Sequence, residues 1–148
     1  DQLAIIFKSN DKKVDEYLKF WNSDGSPSLT CGNATRCIAQ LLMDEKRVQS
    51  LKLLTDHTIL HCKRDKDGEI FVNMGKPNFV WSDIPLAHKC NTLKLPLEGE
   101  PVATNLGNPH CTFFVKNLNN FDIVEFGKKD EKHPLFPKKT LARPGVKA

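Results

Sequence analysis

The sequence predicts an α+β fold of mostly antiparallel strands around one clear helix. Short apolar runs rich in β-branched residues recur along the chain, and turns containing glycine or proline separate them. One segment clearly repeats its apolar residues at helical spacing: Ala34, Cys37, Ile38, Leu41 and Leu42. The 148 residues, of which 39% are hydrophobic, suffice for one compact domain or two small lobes.

The first half of the chain contains the helix and most of the strands. We predict the helix from about Asn33 to Asp44, with Cys31 and Gly32 at its entrance. Residues 14–21 fit either a helical stripe or a strand, and the residues alone leave both open. The polar stretch 22–27 is a loop. Strands are predicted at residues 3–7, 51–54, 58–63 and 70–73, with a hairpin turn at 65–68.

Residues 75–78, Gly-Lys-Pro-Asn, are the best candidate for a boundary between two lobes, residues 1–75 and 76–148. In the second lobe we predict strands at residues 91–97, 102–105 and 111–115. The tail from Gly127 to Ala148 is rich in lysine and proline and has little periodicity.

The charge distribution disfavours a nucleic-acid partner. The net charge of +4 comes from lysine pairs scattered along the chain, such as Lys12-Lys13, Lys128-Lys129 and Lys138-Lys139. Nucleic-acid binders usually gather their positive charge on one face, whereas dispersed pairs are typical of a solvated surface. We also expect no membrane partner, since no apolar run approaches the ~20 residues that span a bilayer.

The cysteines indicate a cytoplasmic protein. Their number is odd, five, and their spacing has no regular framework, so we expect free thiols in a reducing compartment. The chain begins with neither an initiator methionine nor a signal peptide, and it opens directly into a strand like the middle of a protein.

Cys31 is the first candidate for chemistry. The first turn of a helix leaves backbone N–H groups unpaired and carries about half a positive charge, and both favour a thiolate. The backbone amides of Gly32 and Asn33 can hold an anion at the same place. A buried cysteine that only packs is the competing interpretation, and position alone leaves both open. Cys37 lies on the predicted apolar stripe, which favours packing.

Asn108-Pro109-His110 is the second candidate, because proline stiffens the turn that presents the amide and the imidazole. A lone histidine near an apolar strand is more often structural. His57, His61 and Cys62 lack the spacing of a zinc site, so we expect no metal. No glycine-rich phosphate loop occurs, and we expect no nucleotide cofactor.

Together these segments resemble the diaminopimelate epimerases. Four blocks occur in the family's order and cover the chain to about Thr140: Asn22–Ser26 with Cys31–Cys37; Val72–Pro77; Gly107–Cys111; and Gly127, Glu131, His133-Pro134 and Phe136-Pro137. The resemblance implies two similar lobes, each of antiparallel β-structure around a central helix, with the site in the cleft and the second lobe incomplete. It also implies that residues 17–21 form a strand.

The resemblance implies a reaction as well. The family interconverts LL- and meso-diaminopimelate, in lysine and peptidoglycan biosynthesis, without pyridoxal phosphate or metal. One cysteine, as thiolate, removes the α-proton, and a second, as thiol, protonates the opposite face. By motif, Cys31 is one of these cysteines and His110 tunes or orients the catalysis. The residues that bind substrate are Gln2, Asn22, Gly32, Asn33 and Asn108.

The chain also departs from the family pattern. The family's N-terminal Gly-Asn-Asp-Phe block has no counterpart before Asp1, and no cysteine follows Cys111. Leu141 stands where the family has a substrate-binding asparagine. We therefore expect a chain truncated at both ends, inactive by itself, from a parent that is a homodimer.

Three alternatives remain. The first is a binding fragment that keeps the fold without catalysis, and the second is a racemase like the proline racemases. The Asn-Ser-Asp-Gly-Ser and Gly-Asn-Pro-His blocks favour the epimerase over the racemase. The third, a cysteine hydrolase using Cys31 and His110, has the least support.

Overall fold

The computed structural model describes residues 2–117, 133–137 and 141–146, the last range by its backbone. Gly127 and Glu131 of the fourth sequence block, and the later lysine pairs, lie outside these residues. The chain divides into two compact units, Asp1–Gly75 and Lys76–Ala148.

The first unit is a six-stranded mixed sheet with one helix, which confirms the predicted α+β class. Its elements are β1 Gln2–Lys8, β2 Glu16–Asn22, β3 Pro27–Ser28, α1 Gly32–Lys46, β4 Ser50–Leu54, β5 Ile59–Arg64 and β6 Ile70–Asn73. The strands run in the order β1-β2-β4-β5-β6, and β3 pairs with β2. Strands β2 and β4 pair in parallel, and the other pairs are antiparallel.

The predicted strands of this unit are confirmed, and within the ambiguous stretch 14–21 residues 16–21 belong to strand β2. Leu18 and Phe20 of β2 are buried, while the residues on either side of each are only half-buried. This alternation has the period of two that a strand requires. The turn at 65–68 is also present, since the Gly68 N–H donates to the Asp65 carbonyl over 3.2 Å.

The helix begins where it was predicted and ends two residues later than Asp44. Arg47 ends it in a left-handed conformation, with φ 55° and ψ 45°. The prediction that Cys37 packs inward is wrong, because Cys37 is exposed. The buried face consists of Thr35, Ala39, Leu42 and Met43. Cys37 lies about 200° around the axis from Thr35, on the opposite side.

The core of the first unit lies between the sheet and α1. Strands β2, β4 and β5 contribute Leu18, Phe20, Leu51, Leu53 and Cys62. Ala39, Leu42 and Met43 of the helix pack against them. Cys31 and Ala34, at the start of the helix, are partly buried against the same cluster, so the core fixes the position of that helix end.

The second unit contains a three-stranded sheet in the order β7-β8-β9, of Val102–Asn105, Pro109–Val115 and Leu141–Val146. The β7–β8 pair is antiparallel and the β8–β9 pair is parallel. Strands at residues 102–105 and 111–115 were predicted, but periodicity gave no sign of β9. Within 76–117, 133–137 and 141–146 there is no helix. The buried core includes Ile84, Leu86, Leu95, Ala103, Cys111, Phe113, Leu135 and Phe136.

The predicted strand at residues 91–97 is wrong. These residues form turns, although Leu95 is buried. The Asn91 side chain accepts a hydrogen bond from the Leu93 N–H, which favours a turn at the start of the stretch. Pro96 has no N–H with which to join a ladder. The alternating leucines therefore do not mark one face of a strand, since Leu93 is exposed and Leu95 is buried.

We expect burial of Cys62 to make folding stability fall at high pH. Desolvation raises the pKa of this thiol from 9.0 to about 11. Above pH 9 the unfolded chain loses the proton while the folded chain keeps it, so stability falls between about pH 9 and 11. Two pKa units correspond to at most about 3 kcal/mol.

Urea unfolding from pH 8 to 11 measures this effect. The loss should be smaller in Cys62→Ala, and Cys37→Ala, which removes an exposed thiol, should behave like the parent chain. Equal slopes for the parent chain and Cys62→Ala would contradict the prediction.

Candidate active site

Cys31 is the residue immediately before α1. Its backbone is extended, with φ −145° and ψ 100°. Its carbonyl accepts two hydrogen bonds, from the Thr35 N–H at 2.9 Å and from the Thr35 hydroxyl at 2.8 Å. The thiol belongs to a half-buried side chain. The predicted position of Cys31 at the helix entrance is thus confirmed.

The first turn of α1 has no side-chain cap. No side chain hydrogen-bonds at the N-cap, and the turn contains no acidic residue. The backbone N–H groups of Gly32 and Asn33 therefore point out of the N-terminal end of the helix, where an anion can accept hydrogen bonds from them. Gly32 is half-buried and Asn33 is exposed. This end of the helix can hold a carboxylate next to the Cys31 sulfur.

Two side chains near Cys31 were not predicted from the sequence as part of a site. The Met74 sulfur lies 3.7 Å from the position of a Cβ on Gly32, so the residue that follows β6 covers this glycine. The Thr30 side chain is 3% exposed, and its hydroxyl has no hydrogen-bond partner among the described residues. A buried hydroxyl without a partner is unfavourable by roughly 1–3 kcal/mol. The sequence gives no signal that the Thr30 hydroxyl is buried without a partner.

Gln2 and Asn22 lie side by side because β1 and β2 pair in a register that places these two residues opposite each other. The Gln2 amide donates to the Asn22 Oδ1 over 2.8 Å. The Asn22 Nδ2 donates to the Ser26 hydroxyl over 3.0 Å, and that hydroxyl donates to the Asp24 carboxylate over 2.6 Å. Both ends of the Asn22 amide are therefore held in one orientation.

Gln2 and Asn22 also line an open depression of about 580 Å³. Its apolar lining includes Leu3, Ile5 and Trp21, and the loop residues Ser23 and Gly25 complete it. Cys31, Gly32 and Asn33 do not line this depression. The first unit thus contains two groups of predicted site residues, the amide pair and the helix start.

Asn108 and His110 belong to the second unit, at the turn between β7 and β8. The His110 Nδ1 lies 2.9 Å from the Asn108 carbonyl. A carbonyl can only accept, so this bond places the proton on Nδ1. Gly107 occupies the turn with φ 99°, a conformation that favours glycine. The turn therefore fixes the imidazole relative to the backbone of Asn108.

The sequence is similar to diaminopimelate epimerases from bacteria. It is 44% identical to the enzyme of Wolbachia sp. subsp. Brugia malayi over 144 residues, which is 94% of this chain and 55% of that protein. The chain is thus similar to diaminopimelate epimerases over nearly its whole length. It spans about half the length of the curated relatives it matches. No family model matches the chain.

Two solved structures share the fold of this chain. A hydroxyproline epimerase from Agrobacterium vitis matches 88% of the chain and 40% of its own length, with a TM-score of 0.58 and 12% identity. A Bacillus anthracis protein of the PhzF phenazine biosynthesis family matches 80% of the chain and 42% of its own length, with a TM-score of 0.51 and 22% identity. At these identities the likeness concerns the fold alone.

The other thiols of the chain differ from Cys31 in their surroundings. Burial raises the pKa of Cys62 to about 11 and raises that of Cys90. Cys111 is fully buried on β8, and Cys37 is exposed on α1. In the part of the chain that the structure describes, no group of three or more His, Cys, Asp or Glu side chains gathers as a metal site. No helix there is long and apolar enough to cross a bilayer.

We expect Ser26→Ala to release the Asn22 amide. The Asn22 Nδ2 loses its acceptor, so the amide can rotate, while stability changes by no more than about 1 kcal/mol because the loop is exposed. Side-chain amide resonances of Asn22 in NMR spectra should shift and sharpen. Ser23→Ala, in the same loop, is the matched control and should leave them unchanged. Unchanged Asn22 resonances in Ser26→Ala would contradict the assigned network.

We expect Thr30→Val to keep or raise stability, by up to about 2 kcal/mol, because it replaces a buried hydroxyl without a partner by a methyl group of similar shape. Thermal unfolding measures this difference. Thr35→Val is the control: it removes a hydroxyl that is hydrogen-bonded to the Cys31 carbonyl, and it should lower stability. A loss of stability in Thr30→Val as large as in Thr35→Val would show that the Thr30 hydroxyl has a partner.

Proposed function

We propose that this chain is part of a cofactor-independent epimerase that interconverts LL- and meso-diaminopimelate. The observation that carries the proposal is a Cys-Gly-Asn sequence at an uncapped helix start, in a chain 44% identical to a diaminopimelate epimerase. The likeness to the hydroxyproline epimerase adds support from the fold alone. The place of action that suits the free thiols is the cytoplasm.

In this proposal Cys31, as thiolate, takes the α-proton of the amino acid. The α-carbon becomes a carbanion whose charge moves onto the α-carboxylate. The amides of Gly32 and Asn33 and the positive end of α1 stabilise that charge as it develops. Because no side chain caps the first turn, these amides need not release another acceptor before they bind the substrate.

The remaining predicted residues position the substrate. Asn22 and Gln2 offer amide groups from the depression in the first unit, and Asp24 and Ser26 hold the Asn22 amide in place. In the second unit, Asn108 contributes an amide. His110 offers an imidazole whose tautomer is set by the Asn108 carbonyl. Hydrogen-bond donors that are held in one orientation position the substrate better than mobile donors, because they need not be reoriented when the reaction begins.

Epimerisation needs a second proton donor on the opposite face of the α-carbon. The sequence has no cysteine after Cys111, and Cys111 is itself fully buried. We therefore propose that the second thiol belongs to the full-length parent, a homodimer, and that the 148-residue chain binds substrate without inverting it. A fold-retaining fragment that binds nothing is the competing hypothesis.

Protection from alkylation tests the binding step. Iodoacetamide should modify Cys31 and the exposed Cys37, and diaminopimelate should slow the modification of Cys31 alone. Peptide mass spectrometry measures both thiols in one sample, so Cys37 is the internal control. Proline is the control ligand. Equal rates at Cys31 with and without diaminopimelate would refute substrate binding, and protection by proline instead would favour a racemase of the proline type.

Incubation with LL-diaminopimelate in deuterated water tests the catalytic step. We expect no meso isomer from the isolated chain, because one thiol cannot both remove a proton from one face and deliver one to the other. Any slow exchange of the α-proton with retention should disappear in Cys31→Ala. Sustained formation of the meso isomer by this chain would contradict the proposal that it lacks the second acid.

A further inference from the structure

The fold gathers lysines that are far apart in the sequence around one depression in the first unit. The depression has a volume of about 530 Å³. Its basic lining consists of Lys12, Lys13, Lys52, Lys63 and His61, which we call the lysine pocket. Lys12-Lys13 was interpreted from the sequence as a dispersed, solvated pair. Both lysines are exposed, as that interpretation expects, but they lie together with Lys52 and Lys63 around this depression.

The β4–β5 hairpin forms one side of the pocket. Lys52 lies directly opposite His61, and Lys63 lies opposite Ser50. These four residues are exposed, whereas Leu51, Leu53 and Cys62 between them are buried in the core. The lysine side chains therefore project from the face of the sheet that does not pack in the core.

The loop between β1 and β2 forms the other side and is tied to the hairpin. The Asp15 N–H donates to the Lys52 carbonyl over 2.8 Å, and the Lys52 N–H donates to the Asp15 carboxylate over 2.7 Å. The Lys13 N–H donates to the Asp11 carboxylate over 2.9 Å. These bonds hold the backbone of Lys12 and Lys13 beside the hairpin, so the cluster follows from the fold.

The positive charge of the pocket is only partly offset within the described part of the chain, because four lysines face a single carboxylate there. Three ion pairs occur there, and none includes Lys12, Lys13, Lys52 or Lys63. Asp15 is the one carboxylate in the lining, and its oxygen accepts from a backbone N–H. Like charges gathered on one surface repel each other, which an anion would relieve.

We propose that the lysine pocket binds a small molecule bearing more than one phosphate charge. Lysine ammonium groups bind phosphate as point charges, and four of them suit a polyanion better than a single carboxylate. The volume falls within the range of roughly 300–1,000 Å³ usual for small-molecule sites. Among the residues that the structure describes, no Phe, Tyr or Trp lines the pocket, so these residues offer no stacking platform of the kind found in single-stranded nucleic-acid sites.

This site is separate from the epimerase residues. None of Gln2, Asn22, Cys31, Gly32 and Asn33 lines the pocket. An anion there cannot be the diaminopimelate of the proposed reaction bound by those residues. The proposal therefore stands or fails independently of the proposed function.

NMR titration of the 148-residue chain with inorganic pyrophosphate, at constant ionic strength, tests the proposal. We expect saturable shifts of the backbone amides of Lys12, Lys13, Lys52 and Lys63. The Lys52→Ala/Lys63→Ala variant should bind roughly tenfold more weakly or worse. Lys66→Ala/Lys89→Ala removes the same charge from exposed positions outside the pocket and should bind like the parent chain.

The spectra of each variant also report whether it folds. If Lys52→Ala/Lys63→Ala loses its dispersed spectrum, Lys12→Ala/Lys13→Ala gives the same comparison from the loop side of the pocket. Non-saturating shifts, or equal weakening by the control variant, would overturn the proposal. Shifts of the same four amides with a single-stranded oligonucleotide but not with pyrophosphate would also overturn it, in favour of a nucleic-acid surface.

Discussion

The two hydrogen bonds from Thr35 to the Cys31 carbonyl are the constraint on which the helix start depends. They close the first turn of α1 from inside the protein, through a backbone N–H and a buried hydroxyl. A Ser, Thr, Asp or Asn side chain at the N-cap normally accepts a hydrogen bond from a free N–H group of this turn. Losing such a cap lowers stability by about 1 kcal/mol. Here Cys31 takes the cap position without such a bond. The outer side of the turn is therefore left for an anion.

Thr35 also links the helix start to the core. Thr35 begins the buried face that continues through Ala39, Leu42 and Met43, and this face packs on the sheet. Met74, the residue after β6, places its sulfur over Gly32. Packing energy thus holds the cysteine and its two following amides in place, so the site need not be stabilised by contacts of its own.

The sequence was most informative where local chemistry decides structure. The helix entrance at Cys31 and Gly32 was predictable from apolar spacing, and the α+β class followed from strands separated by turns. The inward face was not predictable, because Cys37 is more apolar than Thr35. Threonine occupies the inward position since its hydroxyl bonds to the Cys31 carbonyl. The prediction for residues 91–97 failed for a related reason: leucines alternate there, but Leu93 is exposed and Leu95 is buried, in turns that Asn91 and Pro96 favour.

Contacts between residues that are far apart in the sequence could not be predicted from the periodicity of apolar residues. The Gln2–Asn22 pair depends on the β1–β2 register, and the Ser26–Asp24 support of Asn22 depends on how the following loop folds back. The lysine pocket depends on the β4–β5 register and on the bonds between Asp15 and Lys52. In each case the sequence contains residues with suitable side chains, and the pairing of the strands decides which of them come into contact. An asparagine or lysine elsewhere in the sequence would be an equally good candidate for these sites until the strand pairing was known.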